Sequence, residues 1–343
     1  MHLISICIII LWAYAYQSMS RMLDESSVVK AHQQWMMKYG ITYSNNFEME
    51  KRLQVFKENL EYIEKFNNSG NKSYTLGLNP YSDLTTEEFM ASYTGLNVPS
   101  RVSSSKLKSS SVLFNITSNL DDLDWMDWRD NGAVTDIKAQ GFCGGCWAFA
   151  AVAAVEGLWK IKRGTLLRLS EQQVIDCDTN SESCTSGDIV SAFKYMVGSV
   201  GILEESQYQY TQGEKPCKPV NIDDVEAYIK SYKMVKENDE QQLLQAVSRQ
   251  PVAAAVHAGQ EFKEYAGGVY AGTCGPTENH AVAIIGYGVN ENGVKYWLIK
   301  NSWGQGWGEK GYMRLIREGP AGKPEGHCGI ANYASFPQLE DGY

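Results

Sequence analysis

Apolar positions in the first third of the chain recur at helical spacing. In "FEMEKRLQVFKENLEYIEKFN" the residues Leu53, Phe56, Leu60 and Ile63 fall three and four apart with Glu and Lys opposite, so residues 24–67 read as helical. "SYTLGLNPYSDLTTEEF" predicts a short alternating stretch running into Asp83, then a short helix over 85–93. Residues 97–121 lose this periodicity, and "NVPSRVSSSKLKSSSVLFNITSN" reads as an exposed Ser-rich linker of the kind proteases cut.

From about residue 122 the chain turns rich in Trp, Tyr and Gly. A helix is expected from Cys146 to about Arg163, with Phe149, Val152, Val155, Leu158 and Trp159 on one face and Gly164 as its stop. "LSEQQVIDC" opens another, with Ser170 as N-cap and Gln173 at the capping-box position, and "SGDIVSAFKYMVG" reads as a third. Beyond about 225 the pattern shifts to strands: "PVAAAVHAG", "GGVYAG", "HAVAIIGYG", "KYWLIKNSW" and "GYMRLIRE", separated by Gly- and Asn-rich turns. A helical half (about 122–225) before a stranded half (about 226–343) predicts an α+β domain of two lobes. No internal repeat is visible.

Composition narrows this picture. The chain of 343 residues has 43% hydrophobic and 21% charged residues, which is globular. Its net charge is −9: residues 1–121 hold 11 basic and 11 acidic side chains, and 122–343 hold 20 and 29. No basic stripe exists to neutralise phosphates, which argues against nucleic acid as a partner. The apolar run Leu3–Ala15 is shorter than the roughly 20 residues a bilayer needs and fits a signal-peptide core. Ala13-Tyr14-Ala15 and Ser18-Met19-Ser20 are candidate cleavage sites, and a buried N-terminal strand is the alternative. No later segment is apolar enough to span a membrane. After Cys7, cysteines resume only at Cys143, Cys146, Cys177, Cys184, Cys217, Cys274 and Cys328, an odd set that in an oxidising compartment implies three disulfides and one free thiol. Sequons occur at Asn67, Asn71 and Asn115, all before residue 122.

The candidate chemistry centres on "GFCGGCWAFAAV". A cysteine in the first turn of a helix meets unsatisfied N–H groups and the positive end of the dipole, which favour thiolate. Cys143 or Cys146 could gain from this, and Cys146 abuts the helix. A thiolate that cleaves amides needs an imidazole partner. Only His257, His280 and His327 follow residue 122, and His280 opens an apolar strand in "TENHAVAIIGYG". In "KYWLIKNSWGQGWG", Asn301 could hold an imidazolium ring and Trp303 could keep water from that bond. Two other readings of the cysteine pair fit less of the chain. A thioredoxin-like redox pair gives His280 and Asn301 no role, and a metal site lacks a second cluster with ligand spacing.

"CGGCW", with His280 and Asn301 lying 134 and 155 residues beyond Cys146, resembles the signature of papain-family cysteine proteases, with Gly145 where Ser or Ala is usual. The pattern is most like the plant members. The resemblance covers nearly the whole chain and implies a two-lobed papain-like fold with the cleft between the lobes, behind a helical inhibitory propeptide. It implies Cys146 as nucleophile, His280 as its acid/base partner, Asn301 orienting the ring, Trp303 shielding it, and Gln140 donating to the oxyanion. It also implies the pairs Cys143–Cys184, Cys177–Cys217 and Cys274–Cys328. Glu48, Arg52, Phe56, Asn59, Ile63 and Asn67 match the family's spaced propeptide helix motif, and Gly77, Asn79, Tyr81 and Asp83 resemble its G-x-N-x-F-x-D motif with Tyr for Phe.

The expected organisation is a signal peptide (1–20), a propeptide (21–121) and a mature peptidase from near Asp122. The product is a zymogen loosened by acid, with carboxylate protonation, as at Asp83, a candidate trigger. The resemblance places substrate contacts at Gly144, Ser186, Gly187, Asp188, Ile189, Ala255, Glu278, Asn279 and Tyr333. An apolar side chain is expected in the dominant acyl-side pocket. The "CTSGD" wall departs from the family's C-x-G-G, and Asp188 and Glu278 read either as solvated rim charges or as a tilt toward a basic residue. Expected partners are protein or peptide substrates, the chain's own propeptide and cystatin-like inhibitors, with no cofactor or metal, in a monomer of the secretory pathway, vacuolar, lysosomal or extracellular. The competing function is an inactive homologue with a binding, storage or defence role.

Overall fold

The computed structural model describes residues 25–98, 125–319 and 323–339. The expected signal segment and its cleavage sites, Asn115, most of the Ser-rich linker and the expected start near Asp122 lie outside the described residues.

The stretch read as one helical region is two helices, α1 (Glu25–Tyr39) and α2 (Asn46–Asn67). The chain breaks because Gly40 takes a left-handed φ of 66° and Asn45 caps the next helix, accepting from Glu48 N at 2.9 Å. Trp35 and Phe56 join the two, their ring centroids 5.3 Å apart. Strand β1 (Tyr74–Leu76) follows, then α3 (Thr86–Tyr93), started by a full capping box between Thr85 and Glu88.

After β2 (Met126–Asp127), helix α4 runs Cys146–Arg163 and stops at Gly164, whose φ is 81°. The expectation of one apolar face is too narrow. Every residue from Cys146 to Leu158 except Ala153 is buried, because α4 lies between the helical core and a sheet. Helix α5 (Glu171–Cys177) is capped by Ser170, yet Gln173 does not complete the box. Its side chain instead donates to Gly201 O (2.9 Å) and accepts from Leu203 N (2.8 Å), tying α5 to the next loop. Helix α6 is Ile189–Gly198.

The C-terminal half holds β3 (Ser231–Met234), α7 (Glu240–Val247), β4 (Val252–Val256), α8 (Gln260–Lys263), β5 (Tyr265–Tyr270), β6 (His280–Val289), β7 (Lys295–Lys300), β8 (Tyr312–Ile316) and β9 (Ala334–Gln338). The sheet order is β1-β5-β8-β7-β6-β4-β9-β3, with β2 on β6; β5 and β8 are parallel and the other pairs antiparallel. Strand β4 shows how one sheet serves two cores. Val252, Ala254 and Val256 face the strand-rich core, while Ala253 and Ala255 face the core built on α4. Alanines on that face let the helix approach closely. Strands β2, β3 and β9 and helix α7 are additions to the expected elements.

The disulfides are Cys143–Cys184, Cys177–Cys217 and Cys274–Cys328, and Cys146 is the free cysteine among the described residues. His327 gathers with Cys274 and Cys328, but both sulfurs are spent in the disulfide. No described helix is long and apolar enough to cross a membrane.

Candidate active site

Cys146 is the first residue of α4. Its preceding N-cap, Gly145, offers no side-chain cap, so the Cys146 and Trp147 amides stay available to a negative sulfur, while Ala148 N donates to Gly145 O. His280 is the first residue of β6, and the backbone amide of Ala281 beside it lies within reach of the Cys146 sulfur, as do those of Trp147 and Gly95. His280 Nε2–H donates to Asn301 Oδ1 at 2.8 Å, and the same oxygen accepts from Ser302 N at 2.8 Å. With its proton on Nε2, the neutral ring keeps Nδ1 as the basic nitrogen, and Nδ1 has no hydrogen-bond partner. Trp303 stacks on this imidazole, centroids 4.4 Å apart.

Sequence reasoning expects a helix-stabilised thiolate. In this closed chain burial wins: Cys146 and His280 are both fully buried. Desolvation pushes the thiol up to about 12 and the imidazole down to about 4, the Asn301 hydrogen bond opposing the latter. Both groups are held neutral.

The cover is the N-terminal segment. After α3 the chain extends over the cleft, with Gly95 N and Leu96 N donating to Asn279 O (3.2 and 3.1 Å). Gly187 N donates to Gly95 O and Asn97 N to Gly187 O, both at 2.8 Å, so Leu96 and Gly187 form a parallel bridge. Gln140 Nε2, expected to serve an oxyanion, donates here to Cys143 O (2.8 Å) and Tyr93 O (3.2 Å). Trp303 Nε1 also donates to Tyr93 O (3.0 Å). Tyr93, Gly95 and Leu96 escaped sequence reasoning. A lone glycine in extended chain after a capped helix is their only local signal.

The motif residues hold this cover down. Arg52 pairs with Glu48 and Glu88 (both 2.7 Å) and donates to Asp83 O; Asn59 Nδ2 donates to Ser82 O and Leu84 O; Phe56 and Ile63 are buried. Asn79 Nδ2 reaches Lys263 O and Glu264 Oε2, and Tyr81 donates to Trp303 O. Asp83 is no acid trigger. Its carboxylate accepts from Tyr43 Oη (2.9 Å), and burial raises its pKa, so falling pH protonates it more readily in the closed chain and favours closure. Glu88 has the other sign. Desolvation opposes it, but Lys51, the Thr85 amide and Arg52 hold it at about 2, so its contribution is present above its ordinary 4.5 and fades as pH falls from there toward 2.

Asp188, expected at the acyl-side wall, is neither a solvated rim charge nor free. It caps α6 through Val190 N and Ser191 N (3.2 Å each) and accepts from Tyr333 Oη at 2.6 Å. Glu278, partly exposed, accepts from Asn332 Nδ2 at 2.5 Å. Ile189 and Ala255 are fully buried in one apolar cluster with Leu96, and Tyr333 packs against it. Asn279 presents its backbone carbonyl to the cleft, its side chain being bonded to Ala258. Gly144 N donates to Cys184 O, and Ser186 Oγ to Glu182. Among the sequons, the Asn67 amide is occupied by both backbone groups of Leu76, whereas Asn71 is exposed.

Residues 124–338 match the papain family cysteine protease domain, and 32–89 the cathepsin propeptide inhibitor domain. Ananain of Ananas comosus is 43% identical over 327 residues, spanning 93% of this chain and 91% of that protein. A recombinant stem bromelain precursor superposes with TM-score 0.84 at 42% identity over 92% of this chain and 99% of that one. Bromelain from Ananas comosus in complex with the E64 inhibitor gives 0.60 at 45% identity over 64% and 100%. The chain therefore belongs to the papain family of cysteine proteases, as an endopeptidase preceded by its inhibitory propeptide.

Proposed function

We propose that Cys146 is the nucleophile of this zymogen and His280 its acid/base partner, oriented by Asn301 and shielded by Trp303. The observation that carries the reading is His280 itself: Nε2 is tied to Asn301, Nδ1 is left without a partner, and the amide of the next residue, Ala281, reaches the Cys146 sulfur. When the propeptide leaves, water and the α4 amides favour the thiolate, and the imidazole takes up the proton. The thiolate attacks the peptide carbonyl and forms a C–S bond. The oxyanion meets Gln140 Nε2, freed from Tyr93, and the Cys146 amide. His280 protonates the departing amine as the C–N bond breaks, then takes a proton from the water that releases the acid. Three disulfides and the N-terminal apolar run support synthesis in the secretory pathway and a vacuolar, lysosomal or extracellular site of action.

The test is reactivity of Cys146 toward E64, an epoxide thiol reagent. At neutral pH the full-length chain should resist labelling. After a shift to about pH 4, where the Glu88 clamp has begun to weaken, labelling should appear on Cys146 as the chain shortens to near Asp122. A shortened, folded chain with Cys146 unlabelled would sink the assignment and favour a binding homologue.

The acyl-side pocket should take leucine over arginine. Asp188 already accepts from three donors, Glu278 is taken up by Asn332, and Leu96 marks an apolar lining, so a guanidinium entering there would be desolvated against carboxylates that already have partners. In peptides differing only at the second residue before the scissile bond, kcat/KM for Leu should exceed that for Arg about tenfold or more. A ratio near one would show that Asp188 can leave Tyr333.

A further inference from the structure

Phe142 stands apart from the apolar residues around it. It is 72% exposed, belongs to none of the apolar clusters, and sits in the loop between Gln140 and Cys143. Among the described residues its aromatic neighbour is Tyr93 of the propeptide, ring centroids 5.4 Å apart. The same Tyr93 residue gives its carbonyl to Gln140 Nε2 and Trp303 Nε1. The peptidase thus holds Tyr93 by two N–H donors on its carbonyl and by the Phe142 ring, while Tyr81 and Phe89 of the propeptide also pack on its ring (4.5 and 5.1 Å). Leu96 bridges Gly187 at the acyl-side wall and Gly95 lies over Cys146, so Tyr93 occupies the opposite, leaving-group side of the nucleophile. Release of the propeptide leaves this place empty, with a phenyl ring standing in water at its rim.

We propose that Phe142 is a specificity-determining residue that selects substrates with an aromatic side chain at the first or second residue after the scissile bond. The substrate's ring packs on Phe142 where Tyr93 does, and Trp303 Nε1 takes a backbone carbonyl of that segment. This deepens the proteolytic reading and rests on it. An aromatic pair contributes enough for a preference of about two- to tenfold. The loop can present the ring without strain in the core, since Phe142 adds nothing to it.

The experiment uses the activated enzyme and quenched fluorescent peptides sharing leucine at the second residue before the cut, with Tyr or Ala at the first or second residue after it. The wild type should show a Tyr/Ala ratio in kcat/KM of about two to ten at one of the two positions. That ratio should fall to about one in Phe142→Ala and return in Phe142→Trp; because it is taken within each variant, a general loss of activity cancels. A wild-type ratio near one at both positions, or a ratio that survives Phe142→Ala, overturns the proposal. Cleavage of the Ala peptides by the wild type establishes in the same assay that the proteolytic reading stands, so the two failures are distinguishable.

Discussion

Cys146→Ala is expected to abolish peptide hydrolysis, with kcat falling on the order of 10⁴–10⁶-fold, the range for removing a nucleophile from a Ser- or Cys-type site. The chain should also remain full length on acid shift, and both are read from one gel and one fluorogenic assay. The substitution is well placed to test chemistry alone. Cys146 takes part in no disulfide, and alanine is a good helix residue at a position where the cap is made by backbone. The remaining groups still fold around the site: His280 on Asn301, Trp303 on the ring, Gln140 on Cys143 O. Activity above about one part in 10³ in purified Cys146→Ala would mean that another group attacks. The other histidines of the described peptidase are engaged away from the site, His257 accepting from Gly275 N at 2.9 Å and His327 lying against the Cys274 sulfur.

The placement of the proposed catalytic residues was legible because each role needs one residue type at one place: a thiol at a helix start, an imidazole at a strand start, an amide at the next strand's end. Asn301 can do its work only as an amide beside His280, and the structure puts them 2.8 Å apart across β6 and β7. The electrostatic state of the site was not legible. It is set by burial beneath a chain crossing that begins 51 positions upstream at Gly95, and that burial outweighs the amides, Gly95's among them, that favour the thiolate. The fate of Asp188 was hidden for a similar reason, since Tyr333 Oη comes from the far end of the chain to meet it. Helix α7 has a legible pattern that its neighbours obscure. Leu243, Leu244 and Val247 have helical spacing behind an Asp239 cap, but short strands surround it. Strand β9 carries Pro337, and β3 is a short edge strand, so neither shows a strong period-2 signal.

Gly95→Ala is expected to break latency at neutral pH while leaving the peptidase fold intact. A Cβ built on Gly95 would lie 2.1 Å from Gly144 O and 2.7 Å from its carbonyl carbon and Cα. Neither backbone can retreat cheaply. Gly144 N is bonded to Cys184 O at 2.7 Å, next to the Cys143–Cys184 disulfide and two residues before the start of α4. Gly95 is pinned between Asn279 O and Gly187 N. Forcing a methyl into such packing costs about 1–3 kcal/mol, which multiplies the open population about 5- to 150-fold. The contacts of α1, α2 and β1 are untouched, so the propeptide should stay docked on Asn79 and Tyr81 while its crossing of the cleft is displaced. Labelling of Cys146 by E64 at pH 7 should therefore accelerate by that factor in Gly95→Ala before any cleavage of the chain. An unchanged rate would mean that exposure of the thiol is governed by undocking of the whole propeptide, and that Gly95 is merely carried along. An accelerated rate with the chain still intact would place the barrier to opening at the single crossing above the nucleophile.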